Sequence, residues 1–139
     1  MSLARCRSGI MLAGVALAAV SFAPAPPADD NPLAAMANAR LEAARKQYDE
    51  TWAYFKQARI DSYQVYVWSR LILDSEGEMA EKQAERVAAL ESHLERMKKL
   101  EALIVKVRRI GFGLSYDVGA SQYYRLEAEF WVANEKNAK

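Results

Sequence analysis

Apolar residues return at helical spacing along most of this chain. Leu41, Ala44, Tyr48, Thr51 and Phe55 follow steps of three and four, with Trp52 widening the stripe and Glu42, Arg45, Lys46 and Asp49 outside it, which is one buried helix face. Asn31 followed by Pro32 is a helix start: asparagine is a good N-cap, and proline at the first helical position removes an N–H that would have no partner there. The stripe lapses between Gln57 and Ser62, where Asp61 and Gln64 have the spacing of a capping box, so a turn is expected there. Val65, Trp68, Ile72, Met79, Val87, Leu90, Leu94, Met97, Leu100, Ile104 and Val107 continue without a proline, and the pattern predicts one long helix over 62–109 with Gly77 as its weak point. Glycines at 111 and 113 then permit the left-handed backbone that ends a helix, and Ser115 can start another. In that last helix Tyr116, Gly119, Tyr123, Leu126, Phe130 and Ala133 follow alternating steps of three and four, a strict coiled-coil seam, and Asp117 suits the positive end of its dipole.

At 1.5 Å per residue the central helix would be roughly 72 Å long and its neighbours about 40 and 33 Å. Short turns at both ends would fold each short helix back on its own half of the long one. The expected fold is therefore all-α: an elongated antiparallel hairpin or coiled-coil rod, one long central helix paired with two shorter helices whose free ends meet near Val87. Too many apolar residues are present for a single seam, since Val65, Val67, Trp68, Leu71, Ile72 and Leu73 surround most of a helix and Phe130, Trp131 and Val132 are consecutive. Some must face outward, which predicts self-association or a protein partner.

The chain also repeats at an offset of 53 residues. Leu41-Glu42, Lys46, Ser62-Tyr63, Val65, Leu73, Glu76 and Ala80 recur as Leu94-Glu95, Lys99, Ser115-Tyr116, Val118, Leu126, Glu129 and Ala133, and the two expected turns superpose.

The N-terminal segment has a different character. Arg5 and Arg7 precede an uncharged run from Ser8 to Ala23 that Pro24, Pro26 and Pro27 break, the layout of a secretory signal. Residues 1–28 are read as signal peptide and Pro-rich segment and 29–139 as the helical domain, which places the protein in the periplasm or cell envelope. The apolar run is shorter than the roughly 20 residues of a spanning helix, so membrane attachment would come only through an uncleaved signal or a partner. Cys6 leaves with the signal. Cleavage near residue 26 removes two arginines and no acid from 19 basic and 18 acidic side chains, leaving 17 against 18. These charges are interspersed, which argues against a nucleic-acid partner.

At the second turn Arg109, Gly111, Ser115, Asp117-Val118, Leu126 and Glu129 resemble the hairpin tip of TolC-type outer-membrane efflux proteins, with Ile110-Gly111-Phe112 standing where the family has a Val-Gly-Leu tip. The resemblance covers about 30–139. It implies a long helix facing two stacked shorter ones, and a tip at Ile110, Gly111, Phe112 and Asp117 that meets a periplasmic adaptor-like hairpin. Ala58 and Gln64-Val65 depart from the pattern at the first turn, and no alternating ten-residue segments of an outer-membrane barrel are present in the sequence. The resemblance thus implies a helical unit without its barrel: an exported, non-enzymatic structural or interaction protein linked to efflux, the alternatives being a periplasmic helical chaperone or stress sensor, or a truncated efflux component without independent function.

Little chemistry competes with that reading. His93 and Met97 lie one turn apart and could share a face as soft metal ligands, but one histidine without a cysteine or an acidic cluster is a weak donor set, and Met97 belongs to the apolar stripe. Tyr48, Trp52, Tyr54, Phe55, Tyr63, Tyr66 and Trp68 gather near the first turn, mostly at core spacing. No catalytic residue, cofactor or metal is assigned.

Overall fold

The structure, a computed structural model, describes residues 31–111 and 115–138, with only the backbone of 115 and 116. The segment read as a signal and Phe112 of the tip lie outside the described residues. Four helices occupy 88% of the described chain, with no strand among them: α1 (Pro32–Lys56), α2 (Ser62–Met79), α3 (Gln83–Arg109) and α4 (Ser115–Asn137).

The start of α1 follows from its first two residues. The Asn31 side chain accepts from the N–H groups of Leu33 and Ala34, and Pro32 occupies the first helical position. Leu41, Ala44 and Thr51 are buried on the face expected. The helix ends in a paired closure, in which the Arg59 N–H donates to the Tyr54 carbonyl and the Ala58 N–H to that of Phe55. Ala58 carries the left-handed conformation of that closure, φ 56°. Asp61 then caps α2 by accepting from the Gln64 N–H at 3.2 Å.

The single helix expected over 62–109 is not formed. It ends at Met79, three residues pass, and α3 runs back along α2: Ser69 meets His93, Arg96 reaches Ser69, and Val65 is buried with Met97 and Leu100. Two features account for the break. Gly77 lowers the helix propensity just before it, and Glu85 stabilises a new start, its carboxylate accepting from the N–H groups of Glu81 and Lys82. Folding back also gives Val65, Met97 and Leu100 a common interior that a straight helix could not provide, worth about 1.5–3 kcal/mol for each large apolar side chain buried. The rod is thus replaced by a helical bundle in which α2, α3 and α4 pack on one another and α1 lies along α2.

The order of contacts fixes the directions. Arg45–Glu76 pairs α1 with α2 antiparallel, and Arg86–Glu135 and Arg125–Glu101 pair α3 with α4 likewise. Ser62–Asp117, Tyr66–Tyr124 and Arg70–Trp131 run α2 and α4 parallel. The main core holds Val65, Met97, Leu100, Ile104 and Ala128, with Tyr48, Trp52 and Phe55 of α1 closing over it.

The 53-residue repeat is visible in this arrangement. α1 and α3 end 53 residues apart, α2 and α4 begin 53 residues apart, and the two left-handed residues, Ala58 and Gly111 (φ 86°), hold equivalent positions. The bundle is two copies of one helix hairpin, α1–α2 and α3–α4, with both turns at one end, where Ser62 of the first hairpin donates to Asp117 of the second at 3.2 Å.

Candidate interaction surface

The seam of α4 is solvent-exposed along its described length. Gly119, Tyr123, Leu126, Phe130 and Ala133 are all exposed, Phe130 at 68% and Tyr123 at 61%. The helix is inserted instead through a second face formed by Ser121, Ala128 and Val132, all buried, with Val118, Tyr124 and Trp131 beside them. Small residues decide which face turns inward: Ser121 and Ala128, both at 0% exposure, let α4 approach the Leu100 side of α3 more closely than a Tyr-Leu-Phe stripe could. Spacing alone favoured the seam. The signal for the other face was present in the same residues, as the serine and alanine at 121 and 128, one heptad apart.

The exposed stripe is held in shape by its neighbours. Glu127 accepts from the Tyr66 hydroxyl at 2.8 Å and from the Tyr123 hydroxyl at 3.1 Å, tying the outer tyrosine to α2. Burial, then the carboxylate of Glu127, pushes the Tyr66 phenol above its ordinary range. Tyr66 stacks on Tyr124 at 4.2 Å, with Tyr63 and Tyr123 flanking the pair. Arg125 bridges Glu101 and Glu129, so the charge beside Leu126 and Phe130 is fixed to α3.

Beneath this surface lies a buried polar cluster that the sequence reading did not find. His93 and Ser69 are both at 0% exposure, 2.8 Å apart through Nδ1 and Oγ. The Arg96 Nε also donates to the Ser69 Oγ at 2.7 Å, so the serine oxygen joins the guanidinium to one ring nitrogen and leaves the other, Nε2, pointing away from it. That Nε2 has no partner, and Trp131 and Tyr66 pack around the ring. Burial, with the Arg96 charge adding to it, lowers the His93 pKa to about 4. The pair has the elements of a nucleophile and base, yet the serine oxygen is already occupied by a guanidinium and neither side chain reaches the surface. Met97 is fully buried as well, and no group of three metal-binding side chains occurs among the described residues.

The residues expected at a docking tip are only partly together. Ile110 is 67% exposed beside Gly111, whereas Asp117 is half-buried and accepts from Ser62. Of the aromatics near the first turn, Tyr48, Trp52, Phe55 and Tyr66 pack on the core, while Tyr54 lies outside under the Arg59 guanidinium, 4.7 Å from its ring. An open cleft of about 530 Å³ between α2, α3 and α4 is lined by Leu73, Leu90 and Trp131, but its arginines are taken by carboxylates, Arg70 by Asp74 and Arg86 by Glu135. No described helix is long and apolar enough to cross a membrane. No family model, curated protein or solved structure matches this chain.

Proposed function

We propose that this is an exported, non-enzymatic structural or interaction protein of the cell envelope, and that it acts by docking through the outer face of α4. The observation that supports this is the unpartnered heptad seam from Gly119 to Ala133, exposed on a helix already anchored by its opposite face. A soluble domain gains nothing from a continuous Tyr-Leu-Phe stripe in water, and such patches mark contact sites. The export half of the proposal is carried by the arginines, apolar run and prolines of the first 28 residues.

An efflux-linked role, as the likeness of the second turn to TolC-type proteins implies, would use the end of the bundle instead. Exposed Ile110 beside Gly111 favours it. The two surfaces separate in one experiment: a photoreactive side chain placed at position 130 or 110 in living cells, followed by fractionation of the envelope. Cross-links from 130 support the α4 face, and cross-links from 110 alone transfer the docking function to the tip. Protein retained inside the cell refutes export.

A further inference from the structure

We infer that the outer face of α4 pairs with the same face of a second copy, antiparallel, as a closed two-fold dimer; this rests on the docking function proposed above and names its partner. The repeat says what kind of surface covers such a face. The residues of α2 equivalent to the seam are Tyr66, Arg70, Leu73 and Gly77, and inside the chain they are met by the second hairpin, with Tyr66 on Tyr124 and Arg70 4.0 Å from the Trp131 ring. On α4 the equivalent residues face no other helix among the described residues and are exposed, Leu126 at 49%, so the missing cover is another hairpin of this repeat.

Two ways of supplying it can be compared. Propagating the internal contact by 53 residues would set Gly119 and Tyr123 on Leu71, Asp74 and Glu78 of the next copy. That places two further carboxylates beneath a face flanked by Glu127 and Glu129, and Tyr123 stands where Arg70 supplied the cation. Pairing α4 with α4 antiparallel has no such conflict. About a centre between Tyr124 and Arg125, the layers become Gly119 opposite Phe130 and Tyr123 opposite Leu126, each twice, and the flanks set Gln122 opposite Glu129 and Ala120 opposite Glu127. Beyond its own turn of helix, Gly119 has no neighbour within 4 Å of where a Cβ would stand, so it leaves room for the facing Phe130 ring. A parallel pair would set glycine on glycine and stack Phe130 on Phe130, leaving a hole beside a clash.

The area is of the right size. With aromatic side chains of about 150–250 Å² each, the exposed parts of Tyr123, Leu126 and Phe130 amount to roughly 700 Å² over two copies, against the roughly 900 Å² of apolar area in a standard interface.

The test uses the full chain at micromolar concentration in light scattering coupled to gel filtration. The parent chain is expected to be dimeric. Phe130→Glu and Gly119→Leu should each weaken the dimer at least tenfold while leaving the helix content read by far-UV circular dichroism unchanged, because both positions are exposed in the single chain. In a Cys6→Ser background, a mixture of Gly119→Cys and Phe130→Cys chains should form the mixed disulfide faster than either forms its own. A monomeric parent, or a dimer indifferent to both α4 substitutions, overturns the pairing. Self-disulfides of Phe130→Cys that match the mixed product overturn its direction. If the parent is monomeric while cross-links from 130 to another envelope protein persist, the dimer fails and the docking function stands; if both are lost, the α4 face is not a docking surface.

Discussion

Acidification should destabilise this bundle through a single buried ring. In the unfolded chain His93 titrates near the ordinary histidine value of about 6.5, whereas in the fold burial, with Arg96 beside it, holds the pKa at about 4. Below pH 6.5 the unfolded chain therefore takes up a proton that the folded chain refuses. Stability is lost progressively as the pH falls from 6.5 to 4, and this group contributes no further loss below that. The two pKa values correspond to about 3 kcal/mol across the window, a large share of the roughly 5–15 kcal/mol that holds a small domain together. His93→Leu removes the titration and the hydrogen bond between the ring and Ser69, at a cost of about 1–2 kcal/mol near neutrality. Melting both proteins by far-UV circular dichroism from pH 7 to pH 4 isolates the ring, because the carboxylates common to both cancel in the difference. The parent should be the more stable at pH 7, the two should cross near pH 5, and the variant should lead at pH 4 by several degrees. A gap that stays constant with pH refutes the reasoning and means that the imidazole titrates in the fold as it does in the unfolded chain.

Three further outcomes follow from the geometry. Ala58→Gly relieves the left-handed alanine at the end of α1 (φ 56°) and should stabilise the fold by about 1 kcal/mol in denaturant titration, where a loss would show that the turn is set otherwise. Leu100→Ala, at a site with 0% exposure, should cost about 2.7–5 kcal/mol, while Leu33→Ala, at 74%, should stay within about 0.5 kcal/mol in the same assay. Glu85→Ala removes the carboxylate that accepts from the Glu81 and Lys82 N–H groups and should lower stability by about 1 kcal/mol, read from the thermal midpoint.

Local chemistry was the legible part of the fold. Asn31-Pro32, Asp61 with Gln64, and Gly111 each act within a few residues of themselves, and each helix boundary they imply is present. The break after Met79 was harder to read because it depends on a comparison between two long-range states. A straight helix over 62–109 loses little locally, since Gly77 costs only about 1 kcal/mol. It loses to the folded-back form through contacts such as Val65 with Met97 and Leu100, which spacing along the chain does not report. The orientation of α4 was missed for a related reason. Periodicity finds a stripe, but two stripes coexist on this helix, and the choice between them was made by the small size of Ser121 and Ala128 against α3. The Ser69–His93–Arg96 cluster joins residues more than 20 apart and needed the reversal to exist at all.

The two hairpins also show how one repeat can serve two ends. In the first, the face of α2 that carries Tyr66, Arg70 and Leu73 is covered by the second hairpin, and Leu73 is 6% exposed. Its equivalent in the second hairpin, Leu126, is 49% exposed. If the repeat had diverged only under the need to fold, the uncovered face would be the one free to become polar. It has instead Tyr123 where α2 has Arg70 and Phe130 where α2 has Gly77, against Gly119 for Tyr66, and is on balance more apolar where water reaches it. Burial of such side chains is worth about 1.5–3 kcal/mol each, and a face that exposes them without need also invites non-specific association. The same asymmetry appears at the turns, where the second hairpin has glycine in the left-handed position and the first keeps a strained alanine. The second hairpin thus has glycine in the left-handed position that the first gives to alanine, together with the more apolar outer face.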